Sequence, residues 1–315
     1  MLSESQVGAL VQSELDAALS YEGTLSKKRA KLMDFYNAEP YGDEIEGQSS
    51  VVTTDVADVV EWMLPSLLRI FTQGKNIAQF EADLAEFDDE AAQKTLLANY
   101  TFLKENNGVL LLHDMFKDAL LQYTGVIKVY WDASEDSKTT KYCGMSELEY
   151  KKLLSTPNVR IDDVEVEETE QGIVYNANVV KVKKASGVKC VGIPPEEFLV
   201  SKSARTFDDP VFIGHRSPKT RSQLLQMGFD KDLVNSLPTD DYYEKSEEKN
   251  ARYHDYDNWQ DVNPGNHSPN DIVYLGEYYY RVDVNEDGIA ELWQVMYAGN
   301  TVLDMTEVDE HPFAV

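Results

Sequence analysis

The residues whose types and spacing best suit chemistry are Asp283, Asn285, Asp287, Gly288 and Glu291. They match positions one, three, five, six and nine of a calcium loop, in which carboxylate and amide oxygens surround a hard cation. Position twelve, where a bidentate acid belongs, is Gln294. The flanks read as strands rather than helices, and Asp287-Gly288 is a hairpin turn signal in its own right. A β-hairpin is therefore preferred to a calcium site. The five histidines, His113, His215, His254, His267 and His311, have no histidine or cysteine at metal spacing. His113, with Lys117 one turn on, reads as a surface or core-edge residue. No G-x-x-x-x-G-K-[ST] phosphate loop or H-E-x-x-H motif occurs. Gly144-Met145-Ser146-Glu147 lacks the second glycine of a nucleophile elbow. Cys143 and Cys190 stand alone, which argues against a zinc site or disulfide framework and fits a reducing compartment. The expectation is a non-enzyme with no catalytic, cofactor-binding or metal-ligating residue and no cofactor.

Charge narrows the field further. Against 56 Asp plus Glu stand 29 Lys plus Arg, a formal net charge of −27 over 315 residues. Tight grip on nucleic acid comes from cations that neutralise phosphates, so this balance argues against it. It fits solubility, or a surface over which DNA slides without sticking. The only dense basic cluster is Lys27, Lys28, Arg29 and Lys31. It reads as a solvated helix face, with a phosphate contact or a dock for an acidic partner as the alternative. No stretch approaches the roughly 18 apolar residues that span a bilayer, and the N-terminus lacks a basic signal-peptide region.

The elements that must position these residues follow from periodicity. Ser5 to Tyr36 reads as helix, with Val7, Leu10, Val11, Leu15, Ala18 and Leu19 on one stripe and a break or bend at Gly23. Ser49 and Ser50 precede a second helix, in which Val52, Val56, Val59, Met63, Leu67 and Ile70 form an apolar stripe and Pro65 introduces a kink. IAQFEADL after Gly74 looks strand-like. Helices follow over Asp88 to Lys104 (Ala92, Leu96, Tyr100 and Leu103 on one side) and Val109 to Tyr123 (Leu112, Phe116, Ala119, Leu120 and Tyr123 inward). The period then changes, with strands at Val126 to Trp131, around Val164 and Val166, and over Ile173 to Lys184 and Val188 to Ile193. The charged side of the Val164 strand discourages edge-to-edge pairing. A short helix is expected over Ser146 to Leu154 and a short strand at Phe212 to Gly214. Thr220 to Met227 and Asp230 to Leu237 read as two short helices whose charges do not suit DNA reading. Pro238 to Asp271 carries Tyr242, Tyr243, Tyr253, Tyr256 and Trp259 in an acidic, non-periodic stretch, either a mobile segment or an interaction arm. Ile272 to Met305 reads as a three-stranded meander. Trp62 and Trp131 are expected in the core or as interface anchors, the core being preferred.

The fold class expected is α+β, with a helical N-terminal third packed with a mixed, largely antiparallel β-rich region. The divisions are 1–145 helical with one terminal strand, 146–237 β-rich with two short helices, 238–271 an arm or loop, and 272–315 a meander.

Several blocks together resemble the portal proteins of short-tailed bacteriophages. They are Tyr36-Asn37, Pro40, Gly42, Glu44, Gly47 and Ser49 leading into VVTTDVADVVEWMLP, then YTGVIKVYWD (Tyr123 to Asp132). The block Ile193 to Leu237 and the hairpin Glu277 to Asn300 continue the likeness. The resemblance implies a ring, a dodecamer in the family, at a capsid vertex through which double-stranded DNA is packaged and ejected. It implies self-association as well as capsid protein, terminase and tail adaptor as partners, with the terminase supplying the energy. It implies location in the virion, and in the host cytoplasm during assembly, with no membrane. DNA passes through the ring rather than being bound sequence-specifically. It also implies that a stem and clip would follow Val315, so a truncated chain is expected. The alternatives are another oligomeric virion scaffold or adaptor, and a calcium-binding module on the 283–291 loop.

Overall fold

Ser3 starts the longest element. Its hydroxyl accepts from the Gln6 N–H at 3.4 Å while Gln6 Oε1 accepts the Ser3 N–H at 2.9 Å, a capping box that satisfies two orphan donors. The computed structural model describes residues 2–40, 42, 47, 51–74, 76–133, 136–156, 159–169, 172–184, 186–239, 251–252 and 268–315. The helices are α1 (Glu4–Tyr36), α2 (Asp55–Thr72), α3 (Asp88–Tyr100), α4 (Gly108–Gln122), α5 (Glu147–Leu154), α6 (Arg221–Gln226) and α7 (Lys231–Ser236). The strands up to the last third are β1 (Val126–Asp132), β2 (Asp136–Met145), β3 (Val159–Thr169), β4 (Gly172–Lys184), β5 (Gly187–Ile193), β6 (Phe198–Val200) and β7 (Phe212–Thr220). β8 (Ile272–Val282), β9 (Glu291–Ala298), β10 (Thr301–Glu307) and β11 (Phe313–Ala314) complete them. The fold is α+β with antiparallel sheets, as expected. The chain divides into two compact units, Met1–Lys128 with Cys190–Val315, and Val129–Lys189.

In the first unit the expected meander β8–β9–β10 is extended by β7 and β6 into a five-stranded antiparallel sheet, order β10-β9-β8-β7-β6. Successive side chains of a strand point to opposite faces, and the Tyr278-Tyr279-Tyr280 run uses both. Tyr278 and Tyr280 join Phe212, Val295 and Tyr297 against Val7, Val11, Leu15 and Ala18 of α1. Tyr279 faces the other way, into a core with Val126, Ile193, Phe198, Ile213, Leu292 and Phe313. Part of that second layer comes from a three-stranded sheet of order β11-β1-β5. Gly276 and Gly214 let the Tyr278 ring lie flat on the sheet, since a Cβ at either position would overlap it. Helices α6 and α7 form, as expected, and close a third cluster through Leu224, Val234 and Leu237. Helix α2 packs against α1 and α4.

Several local expectations are corrected. Helix α1 runs unbroken through Gly23, because a single solvent-side glycine costs only about 1 kcal/mol and the N-terminal half is held by the sheet. Residues 77–84 are not a strand: the N–H groups of Ile77 and Ala78 go to Asn99 Oδ1, at 2.6 and 3.3 Å, and that of Phe80 goes to Thr95 Oγ1 at 2.9 Å. Thr95 and Asn99 are accordingly the buried residues of α3, while Leu96 and Tyr100, read from the sequence as lying on one side, are exposed. Tyr123, expected inward, is exposed at the left-handed C-cap of α4. Ser49, Ser50, His254, His267 and the aromatics Tyr242, Tyr243, Tyr253, Tyr256 and Trp259 lie outside the described residues.

The second unit is a three-stranded antiparallel sheet, order β2-β4-β3, with α5 packed on it. Strand β2 was not foreseen: its DSKTTKYCGM carries little apolar alternation. Its partner β4 supplies the buried Ala177, Val179 and Val180. Ser146 caps α5 in a second capping box, and Tyr150 stacks on Tyr175 with centroids 4.7 Å apart. Trp131, preferred as a core residue, is exposed.

Candidate functional site

Helix α2 is apolar on more than one side. Val60 and Leu64 are its buried residues, and Phe71 meets Phe116 of α4 with ring centroids 5.3 Å apart. The apolar stripe read from the sequence lies mostly outside this contact. Val56, Val59, Met63 and Ile70 are exposed, and Trp62 is 83% exposed, which corrects its placement in the core. Fifteen of the thirty-two large exposed apolar side chains among the described residues fall between Val51 and Leu110, including Phe80, Phe87, Leu96, Leu97 and Leu110. Monomeric soluble proteins rarely keep such a concentration in water, and concentrated patches mark interaction surfaces. At the rim, Lys117 Nζ donates to Glu61 Oε1 at 3.2 Å and the Tyr36 hydroxyl donates to the same oxygen at 2.5 Å, fixing α2 to α4 and α1. Those bonds hold the Glu61 carboxyl below its ordinary range.

A buried charged cluster joins α1 to the C-terminal end of α4 and the 195–197 turn. Arg29 belongs to the basic run but is turned inward, 4% exposed, while Lys27, Lys28 and Lys31 face solvent. Its guanidinium pairs with Glu22 and donates to the carbonyls of Gln122, at 3.2 Å, and Pro195, at 3.4 Å. Arg252 donates to Asp118 Oδ1 and Gln122 Oε1, both at 2.8 Å. Its Nε lies 3.1 Å from Glu196 Oε1, close enough for an ion pair but not aligned as a hydrogen bond. Burial pushes the Glu22, Asp118 and Glu196 carboxyls up, and the two arginines only partly counter it. The folded chain thus holds the Glu196 proton more tightly than the unfolded chain. Glu196 therefore contributes stability at low pH that is lost as pH rises above the ordinary carboxylate range through the folded value. In Glu196→Gln that loss should disappear, so the variant gains on wild type as pH rises above the ordinary glutamate value of about 4.3. Urea denaturation across this range checks it, and parallel profiles for the two proteins would refute it.

The family model described as phage SU10 portal protein matches residues 7–315. The chain belongs to the phage portal proteins. No curated protein matches it. Family membership gives it a portal's structural role, in a family whose members assemble as oligomeric rings with capsid and other phage proteins.

The remaining chemistry-bearing residues of this portal protein are occupied locally. The 283–290 segment is the β8–β9 hairpin loop, with Val282 opposite Glu291. Asp283 accepts the Asp287 N–H at 3.1 Å and the Gly288 N–H at 2.7 Å, and Asp287 accepts the Ile289 N–H at 2.8 Å. Asn285 donates to Glu291 Oε1 at 3.1 Å. Gly288 takes φ +91, which is the turn's requirement for glycine. Among the described residues no group of three or more His, Cys, Asp or Glu is placed to hold a metal ion. His113 sits at the core edge 2.9 Å from Asp114, and His215 Nε2 lies 3.1 Å from Glu197. His311 Nε2 donates to the Phe207 carbonyl at 2.8 Å while its Nδ1 accepts the Phe313 N–H, which sets a neutral tautomer. Cys143 and Cys190 are free thiols. No described helix is long and apolar enough to cross a membrane.

Sequence reasoning found the α2 stripe but not its exposure. It missed the Arg29 and Arg252 cluster, for which the one available signal was an arginine within a run of lysines, the cation preferred for buried pairs.

Proposed function

We propose that this chain is a non-catalytic structural subunit of the portal ring at a capsid vertex, through which double-stranded DNA is packaged and ejected. The family match over residues 7–315 carries the reading. The exposed apolar side chains of α2 support it by supplying a surface that a neighbouring copy would cover, with Trp62 as an anchor. Obligate ring interfaces are large and apolar. The capsid protein, a terminase that supplies the energy, and a tail adaptor are the further partners. The protein would reside in the virion, and in the host cytoplasm during assembly. The net charge of −27 suits a ring past which DNA moves without being held. The test is twofold. Mass measurement and electron microscopy of the purified protein should show closed rings. Phage lacking the gene should accumulate heads without DNA, restored by supplying the chain. Filled heads in its absence would overturn the reading.

A further inference from the structure

The small sheet of the Val129–Lys189 unit has two edges of opposite charge. Strand β4 is central, so β2 and β3 each present one main-chain edge that no described strand pairs. The registers fix which side chains share a face. Glu165 lies opposite Asn176, Asp162 opposite Asn178, and Lys141 opposite Asn178 from the other side. Lys141 therefore faces the same way as Asp162, Glu165 and Glu167. On the other face Val164 and Thr140 flank Ala177 and Val179, and Val166 lies opposite Tyr175. Val164 and Val166 are exposed. The charged face of β3 also carries Arg160, whose Nε pairs with Asp162 at 3.2 Å, so its unneutralised acids are Glu165 and Glu167, while that of β2 carries an exposed lysine.

We infer that the β3 edge of one copy pairs with the β2 edge of the next, so that these sheets run on from subunit to subunit. Two-fold pairing of β3 with itself would set Glu165 and Glu167 against their own kind, and like charges across strands are destabilising. Pairing β2 with itself would bring the lysines together. Only the heterologous combination sets Glu165 and Glu167 beside Lys141. It also lays Val164 and Val166 beside Thr140 and Tyr142. Within one chain β2 and β3 are both antiparallel to β4, hence parallel to each other. Copies related by rotation about a ring axis keep that sense, so the new pair is parallel and head-to-tail, the interface type that closes into rings. The acidic edge then acts as a selector: it rejects another acidic edge and accepts a basic one. The inference rests on the ring reading above, but particle mass tests the ring separately.

Cys143, an exposed free thiol on β2, makes the pairing measurable. Adjacent strands lie about 4.8 Å apart, within the reach of a disulfide, whereas β2 and β3 of one chain are two spacings, about 9.6 Å, apart and beyond it. Mild oxidation of assembled Glu165→Cys or Glu167→Cys protein should give a ladder of covalent oligomers on a non-reducing gel. Adding Cys143→Ser should abolish it. Full-sized rings that give no ladder from either variant would overturn the pairing, as would a product that stops at dimer. Should the cysteine variants fail to assemble, charge exchange decides. Lys141→Glu subunits and Glu165→Lys subunits should each assemble poorly alone and recover rings when mixed, and a mixture that recovers nothing would overturn the proposal.

Discussion

Arg29→Ala should cost about 3–5 kcal/mol of folding stability, the usual loss when one partner of a buried ion pair is removed. Arg29 is almost fully enclosed and pairs with Glu22, which is itself largely buried. It also donates to the carbonyls of Gln122 and Pro195, tying the C-terminal end of α4 and the 195–197 turn to α1. Alanine leaves Glu22 without its cation and two buried acceptors without a donor. Since whole domains are stable by only about 5–15 kcal/mol, the variant should melt far below wild type in urea or heat. A second variant separates charge from packing. Combining Glu22→Gln with Arg29→Met removes both charges and keeps the volume, so it should recover much of the loss. A loss below about 1 kcal/mol for Arg29→Ala would mean that water reaches Glu22.

Trp62→Asp should do the reverse: leave the subunit folded and abolish assembly. The side chain is 83% exposed, and surface substitutions away from caps and networks shift stability by about 0.5 kcal/mol or less. In an interface the same position would be a large apolar anchor. Loss of such an anchor typically costs 2 kcal/mol or more, about thirtyfold per contact, and an added charge in a desolvated site raises that further. Because a closed ring repeats the contact, the losses compound. The expected result is a monomer with wild-type melting behaviour and no rings by mass measurement. Rings of wild-type size at micromolar concentration would place Trp62 away from any subunit contact.

These two residues show where sequence reading succeeds. Periodicity finds a helix and its apolar positions, and so α1, α4, the 283–290 hairpin and the α6–α7 pair were legible. It does not say which of two apolar sides meets the core. Val60 and Leu64 of α2 lie one position along from Val59 and Met63, a rotation of about 100° on a helix. The choice between them is made by packing against α1 and α4, which are distant in sequence. In α3 the signal is inverted. Thr95 and Asn99 are inside because the extended 76–80 segment needs acceptors for its N–H groups, a demand that comes from tertiary structure alone. Strand β2 was missed for a related reason: much of its stability comes from pairing with β4 rather than from its own side chains.

The way the chain enters and leaves its smaller unit has an evolutionary consequence. It departs along β1 and returns along β5, and these two strands are hydrogen-bonded neighbours in one sheet. An insertion whose ends lie side by side imposes little closure entropy on its host, because a turn of a few residues could join the same two points. The segment can therefore lengthen, shrink or be exchanged while the order β11-β1-β5 and the cores around it stay as they are. Because both sheet edges lie within this one segment, they can be replaced together without disturbing the core.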